Sequence, residues 1–211
     1  MRSRFAVACA LLALAGCAKE EPAKAPGKAA VSEKAPDLFR VNLDTSKGPV
    51  VIEVHRDWAP MGADHFYNLV KTGFYDDTRF FRVVRNFVVQ FGINGDPKIN
   101  RLWSNANLPD DPVKQKNVKG TVTYAKLGPN SRSTQLFINL KDNRAALDNA
   151  GFAPIGKVTE GMDVVESLYN SYGDMPPRGQ GPDPAKIEIQ GGEYLANHFP
   201  RLDFIKKATI Q

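Results

Sequence analysis

Three features of the chain predict a mainly β domain, a closed eight-stranded antiparallel barrel capped by two α-helices. About eight short runs are rich in β-branched and aromatic residues, Gly, Asn, Asp or Pro separates most of them, and only two stretches carry helical periodicity. Closure is the expected solution because it leaves no exposed strand edge. The 211 residues, 42% hydrophobic and 24% charged, suffice for one filled core and exclude disorder over the whole length.

The elements follow in order. Residues 38–45 and 50–55 are β-rich and flank Ser46-Lys47-Gly48-Pro49, so they read as a hairpin. Asp57 can cap a helix from about Trp58 to Thr72, with Pro60 in its first turn, Phe66, Leu69 and Val70 on its core face and Gly73 as its stop. Apolar runs at 80–84, 87–92, 120–125, 136–139 and 154–158 read as further strands. Residues 161–170 predict the second helix through Val164, Val165 and Leu168, and Lys186 to Gln190 reads as a last strand before Gly191-Gly192. The polar, turn-rich segment 93–119 is long for a compact domain, which points to a functional or variable loop. Past Gly192, Tyr194, Phe199, Leu202 and Phe204 are expected to pack back, making 193–211 an extension on a domain that spans 37–192.

The chain begins with an address. Arg2 and Arg4 precede an unbroken apolar run from Phe5 to Ala15, the layout of a secretory signal over residues 1–16. Eleven residues reach only about half of a ~30 Å hydrocarbon core, so the run is too short for a permanent transmembrane helix. Leu14-Ala15-Gly16-Cys17 resembles the lipobox of bacterial lipoproteins, which implies cleavage before a lipidated Cys17. Residues 17–36, rich in Ala, Lys, Glu and Pro, are then the lipidated terminus and a solvated tether. The expected location is the cell envelope, with the chain lipid-anchored, and Ala18 after the cysteine resembles lipoproteins passed to an outer membrane where the cell has one.

Charge and cysteine usage narrow the chemistry. The formal charge of +5 falls to +3 once the signal is removed, too mild to argue for nucleic acid. Cys9 and Cys17 both lie near the start, so no disulfide framework organises the body. His55, His65 and His198 lack ligand spacing, and no metal is expected. Asp76-Asp77 and Asp110-Asp111 read as solvated loop charges.

Three segments carry a more specific signal. They are Phe80-Phe-Arg-Val-Val-Arg-Asn-Phe-Val-Val-Gln-Phe-Gly92, Gly128-Pro-Asn-Ser-Arg-Ser-Thr-Gln-Leu-Phe-Ile138, and Leu147-Asp148 followed by Gly151-Phe-Ala-Pro-Ile-Gly-Lys-Val158. In order and spacing, over about residues 37–190, they resemble the cyclophilin-type peptidyl-prolyl cis-trans isomerases. The resemblance implies a cyclophilin-like barrel with a proline groove on its outside, no cofactor, and proline-containing polypeptides of the envelope or secreted proteins as clients whose folding it assists. It implies Arg82 as the catalytic arginine and Gln90 as the glutamine that orients it. Phe87, Val88, Phe137 and Leu147 correspond to the proline pocket, Ala125, Lys126 and Gln135 to the groove, and Phe152 to its rim. Phe81, Val88, Phe91 and Ala146 depart from the residues frequent at those positions, His, Met, Gly and Trp, and Lys126 in place of Asn points to acidic substrates.

The chemistry is intelligible from the residue types. Rotation about a peptide bond must give up amide resonance, a barrier of ~18–20 kcal/mol. A guanidinium beside the prolyl nitrogen can donate to the lone pair that appears only as the bond twists, so the interaction strengthens in the transition state and needs no nucleophile. This requires Arg82 to face an apolar slot; a guanidinium turned from any cleft, or locked by a carboxylate on the opposite wall, would defeat it. Two other classes stay open on sequence alone: a proline-segment binding or chaperone-like module with little turnover, and a spacer lipoprotein. A monomer is expected in each case.

Overall fold

The structure is a computed structural model that describes residues 33–103 and 106–211. The signal segment, Cys17 and most of the tether lie outside the described residues. The elements are β1 (Leu38–Thr45), β2 (Gly48–His55), α1 (Pro60–Lys71), β3 (Thr78–Arg79), β4 (Arg82–Val84), β5 (Val88–Phe91), α2 (Pro97–Trp103), β6 (Thr121–Tyr124), β7 (Leu136–Asn139), α3 (Arg144–Leu147), β8 (Pro154–Glu160), α4 (Met162–Ser167), α5 (Pro184–His198) and β9 (Phe204–Ile210).

Among the described residues nine strands form one antiparallel sheet in the order β3-β9-β1-β2-β8-β6-β7-β5-β4. Its outer strands, β3 and β4, are consecutive in the chain and joined only by Phe80 and Phe81, so the sheet must curl until its two edges meet. The mainly β, barrel-like architecture is therefore present, with nine strands rather than eight and a covalent joint where a closing ladder was expected. Along β1, Phe39, Val41, Leu43 and Thr45 alternate inward, and β2 does the same through Val50, Ile52 and Val54. With Phe66, Leu69 and Val70 of α1 and Val165 of α4 they fill a single core. The packing of α1 is against β8 and β9, that of α4 against β2.

Several expectations are corrected. The helix expected at 58–72 runs from Pro60 to Lys71 and makes no side-chain cap bond at its start. Its first turn is instead satisfied from a distance, as Met61 N–H and Gly62 N–H donate to the Asp111 carboxylate at 3.1 and 2.9 Å. Asp111 is no solvated loop charge, being 4% exposed and paired with buried Arg132 at 3.0 Å. Asp76 likewise accepts from Ala208 N–H at 2.9 Å and fastens β9, while Asp77 stays exposed beside Arg79. The second helix is shorter than expected, Met162–Ser167.

Residues 186–190 are helical, not a strand. Asp183 caps α5 by accepting from Ala185 N–H at 3.0 Å, and Pro184 occupies its first turn. Ile187 is 1% exposed and Ile189 73%, which a helix explains and a strand would not, since residues two apart share one face of a strand. The boundary at 192 falls beside a kink in α5, where Gly191 leaves helical geometry at φ +64° and ψ −145°, and 193–211 does more than pack on the domain: β9 lies in the sheet between β1 and β3. The loop at 93–119 contains α2, over which α5 packs. Gly191, at φ +64°, allows this approach, because a Cβ there would sit 2.2 Å from the Gly95 carbonyl oxygen. The end of the tether also docks: Ala35 is 3% exposed and donates to Asp64 at 2.9 Å, and Glu33 pairs with Lys71 at 2.7 Å.

Asp111→Ala is expected to destabilise the protein by about 3 kcal/mol in urea denaturation, because it removes the closer carboxylate partner of buried Arg132, leaving Asp110 at 3.5 Å, and the acceptor of two helix N–H groups.

Candidate active site

The pairing of β4 with β5 builds the site. A turn with Asn86 at φ +55° reverses the chain and sets Arg82 opposite Gln90, and β5 in turn sets Gln90 opposite Phe137 of β7. These three residues therefore form a row across three strands. The alternation of β5 sends Val89 and Phe91 into the core, and Val88 joins a separate apolar cluster with Phe137 and Leu147, flanked by Phe87, Ala125 and Phe152. Phe87, Val88, Phe137 and Leu147 were expected at the proline pocket, Ala125 along the groove and Phe152 at its rim, and the six residues form one cluster. An open cavity of about 860 Å³ is lined by them and by Arg82, Gln90, Lys126 and Gln135, so every residue expected at the groove borders one space.

The polar wall is a connected chain of hydrogen bonds. Arg82 Nη1 donates to Gln90 Oε1 at 3.0 Å, Gln90 Nε2 to Gln135 Oε1 at 3.0 Å, and Gln135 Nε2 to Glu188 Oε1 at 3.4 Å. The guanidinium also stands 5.4 Å from the Phe87 ring centre, a cation–π distance. Its other edge meets Asp174: Nε donates to Oδ1 at 2.6 Å and Nη2 to Oδ2 at 3.3 Å. Burial pushes the Asp174 carboxyl up, but hydrogen bonding and attraction to Arg82, the Met175 N–H and Arg178 outweigh it and hold the group below its ordinary value. Burial raises Glu188 above the usual range, opposed only by the bond from Gln135. Arg82 is thus held by a carboxylate, as in one of the two arrangements expected to defeat the reading, but the guanidinium is not turned from the cleft, since both partners line the cavity.

Lys126 does not present the open cation expected for acidic substrates. Its side chain is 8% exposed and its ammonium is held by Asp110 at 2.8 Å, while Asp110 is held below its ordinary value because Lys126, the Asn130 N–H and Arg132 overcome the effect of burial. Asp110, like Asp111, is a structural partner rather than a solvated charge.

Sequence reasoning passed over the support behind the pocket. Asn117, Asn139 and Asn143 are buried and linked, Asn143 Nδ2 donating to Asn139 Oδ1 at 2.8 Å and to the Phe87 carbonyl at 3.0 Å. Asn117 Nδ2 donates to the Phe152 carbonyl at 2.8 Å and to Asp148 at 2.9 Å. One network therefore fixes the backbone at Phe87 and at Phe152. Asp174 and Glu188 were also missed, and no spacing could have found them, since they lie 92 and 53 residues from Arg82 and Gln135 respectively. Among the described residues no cluster of three His, Cys, Asp or Glu side chains could hold a metal.

The comparisons with known proteins decide the family. Residues 40–190 match the model for "Cyclophilin type peptidyl-prolyl cis-trans isomerase/CLD". The chain belongs to the cyclophilin-type peptidyl-prolyl cis-trans isomerases. It is similar to a peptidyl-prolyl cis-trans isomerase of Acinetobacter baylyi, 35% identical over 135 residues that cover 62% of this chain and 71% of that protein. Isomerase B of Escherichia coli is 30% identical over 141 residues, 61% of this chain and 82% of that protein. In fold the chain resembles a Cryptosporidium parvum cyclophilin crystal structure at TM-score 0.59 and 19% identity, covering 82% of this chain and 98% of that one. The same protein was crystallised in the presence of the dipeptide Ala-Pro; that structure has a TM-score of 0.57 and 18% identity over the same shares. As a member of this family the protein is a prolyl isomerase, an enzyme that interconverts cis and trans X-Pro bonds.

Because Lys126 is neutralised by Asp110, exchanging an acidic for a basic residue next to proline in a test peptide should change kcat/KM by less than about threefold, and Lys126→Met should leave that ratio as it is.

Proposed function

We propose that this cyclophilin acts on proline-containing segments of envelope and secreted proteins, with Arg82 as the catalytic cation, and that it is held at the membrane by lipid on Cys17. One observation carries the catalytic assignment: the Arg82 guanidinium and the Phe87, Val88, Phe137 and Leu147 cluster border a single open cavity. In this reading the substrate proline ring enters the apolar cluster and the preceding peptide bond twists beside the guanidinium. Gln90, paired across the ladder from Arg82, limits the side chain to orientations that face the slot. Proline-containing peptides as substrates are also supported by the related fold crystallised with Ala-Pro.

The magnitudes require both parts. Uncatalysed isomerisation takes tens to hundreds of seconds, so turnover near 10³ per second needs about 10⁵-fold acceleration, roughly 7 kcal/mol. One oriented donor supplies about 3–4 kcal/mol in comparable sites, and the remainder falls to a pocket that holds the twisted imide away from water. Arg82→Ala is accordingly expected to lower kcat/KM on a prolyl peptide by about 10²–10³-fold and to leave activity above the uncatalysed rate. A rate equal to that of the unsubstituted enzyme would refute the assignment.

The envelope location rests on the N-terminal pattern: a basic start, eleven apolar residues and Leu14-Ala15-Gly16-Cys17. Two or three acyl chains would give stable anchoring where one would not. Ala18 favours the periplasmic face of an outer membrane in a cell that has one. The native host fed radioactive palmitate should label the full chain, and Cys17→Ser should abolish the label; an unlabelled chain that retains Cys17 would remove the anchor.

A further inference from the structure

We propose that Asp174 is a positioning residue of this isomerase, a carboxylate delivered by the segment between α4 and α5 that fixes the plane of the Arg82 guanidinium before substrate arrives. The inference rests on the assignment of Arg82 as the catalytic cation.

Asp174 grips Arg82 side-on, through Nε at 2.6 Å and Nη2 at 3.3 Å, while Gln90 takes one proton of Nη1 at 3.0 Å. A guanidinium has one N–H on Nε and two on each Nη, so beyond these three bonds one donor remains on Nη1 and one on Nη2 of a side chain that lines the cavity. Arginine is long and rich in rotamers, and a two-point clamp removes that freedom ahead of binding rather than during it. The pair is also shielded, with side chains 9% and 17% exposed, so it is less screened than a surface ion pair.

The clamp can position only if the carboxylate itself is held. Asp174 Oδ1 accepts from Met175 N–H at 2.8 Å, and its backbone carbonyl accepts from Gly181 N–H at 2.8 Å. A Cβ on Gly179 would lie 2.3 Å from that same carbonyl oxygen, so the segment closes on itself at van der Waals limits. It then runs into α5, whose Ile187, Tyr194 and Leu195 pack with Leu202 against Phe81 and Ile93. Phe81 immediately precedes Arg82, so the segment is anchored at the residue next to the one it clamps.

The arrangement does not plug the slot. Pro176 and Pro177 are exposed, and the segment forms part of the lining of the open cavity of about 860 Å³ that Arg82 and the apolar cluster also border.

The test is a double-mutant cycle on the full chain in mild detergent, with kcat and KM measured separately on a prolyl peptide and a melting curve for each variant. Asp174→Asn is expected to lower kcat about tenfold with KM changed less than about twofold, and to lower it by less than about twofold when Arg82 is already Ala. An equal loss in both backgrounds would make the segment a structural wall and overturn the proposal, as would a rate at or above that of the unsubstituted enzyme. Should Asp174→Asn melt below the assay temperature, Asp174→Glu, whose extra methylene displaces the carboxylate, takes its place with the same expected and overturning results. Full activity in Arg82→Ala alone would refute the catalytic assignment together with this inference. Loss in Arg82→Ala with none in the Asp174 variants would refute only the latter.

Discussion

Two residues, Phe80 and Phe81, join the outermost strands of the sheet, and that short joint constrains everything built around it. A nine-stranded antiparallel sheet whose edges are two residues apart has no flat solution. Phe80 turns inward, where its ring meets Phe91 edge-on at 5.6 Å, and Phe81 turns outward under α5. The next residue is Arg82, so the cation proposed for catalysis stands at the seam of the barrel. It faces the outer surface beside β5 and is reached by the segment that packs over the joint. Closing the sheet and assembling the site are thus one event.

The groove that results is electrostatically quiet. Each of its two buried cations has a carboxylate at hydrogen-bond distance, Asp174 for Arg82 and Asp110 for Lys126. For an enzyme whose substrate is a neutral imide, strong net charge in the groove would only select for flanking residues and hold water in the slot. A directed N–H donor beside an apolar surface suffices for the rotation itself, and pairing the cation elsewhere orients that donor without removing its charge. The buried asparagines behind Phe87 and Phe152 act on the apolar side in the same way, fixing backbone where a loose loop would let the pocket relax.

Much of this was legible in the residue order, and the exceptions have physical causes. The strands β4 to β8 read correctly because each is a short apolar run between turn formers, and the ten residues named for the groove all border the cavity, eight of them lying within three contiguous motifs. The last strand was missed because its alternation is broken: Thr45 pairs with Ile205 but Asp44 with Lys207, so Lys206 bulges and two lysines fall together on the exposed side. The segment 186–190 misled in the opposite sense, since Lys-Ile-Glu-Ile-Gln alternates like a strand while Asp183 and Pro184 just before it start a helix. Asp110 and Asp111 read as solvent charges because a carboxylate's partners, here Lys126, Arg132 and the first N–H groups of α1, lie far along the chain.

Local features therefore follow from the residue order: the β character, the hairpin that sets Arg82 against Gln90, and the identities of the apolar residues that line the cavity. Hydrophobic period and turn chemistry act over a few residues and can be read from a few residues. The tertiary structure alone decided which carboxylate each buried cation meets, that the C-terminal residues complete the sheet, and that a segment ninety-two positions away holds the guanidinium. Ion pairing depends on distance in space, and only the closed sheet brings those groups together.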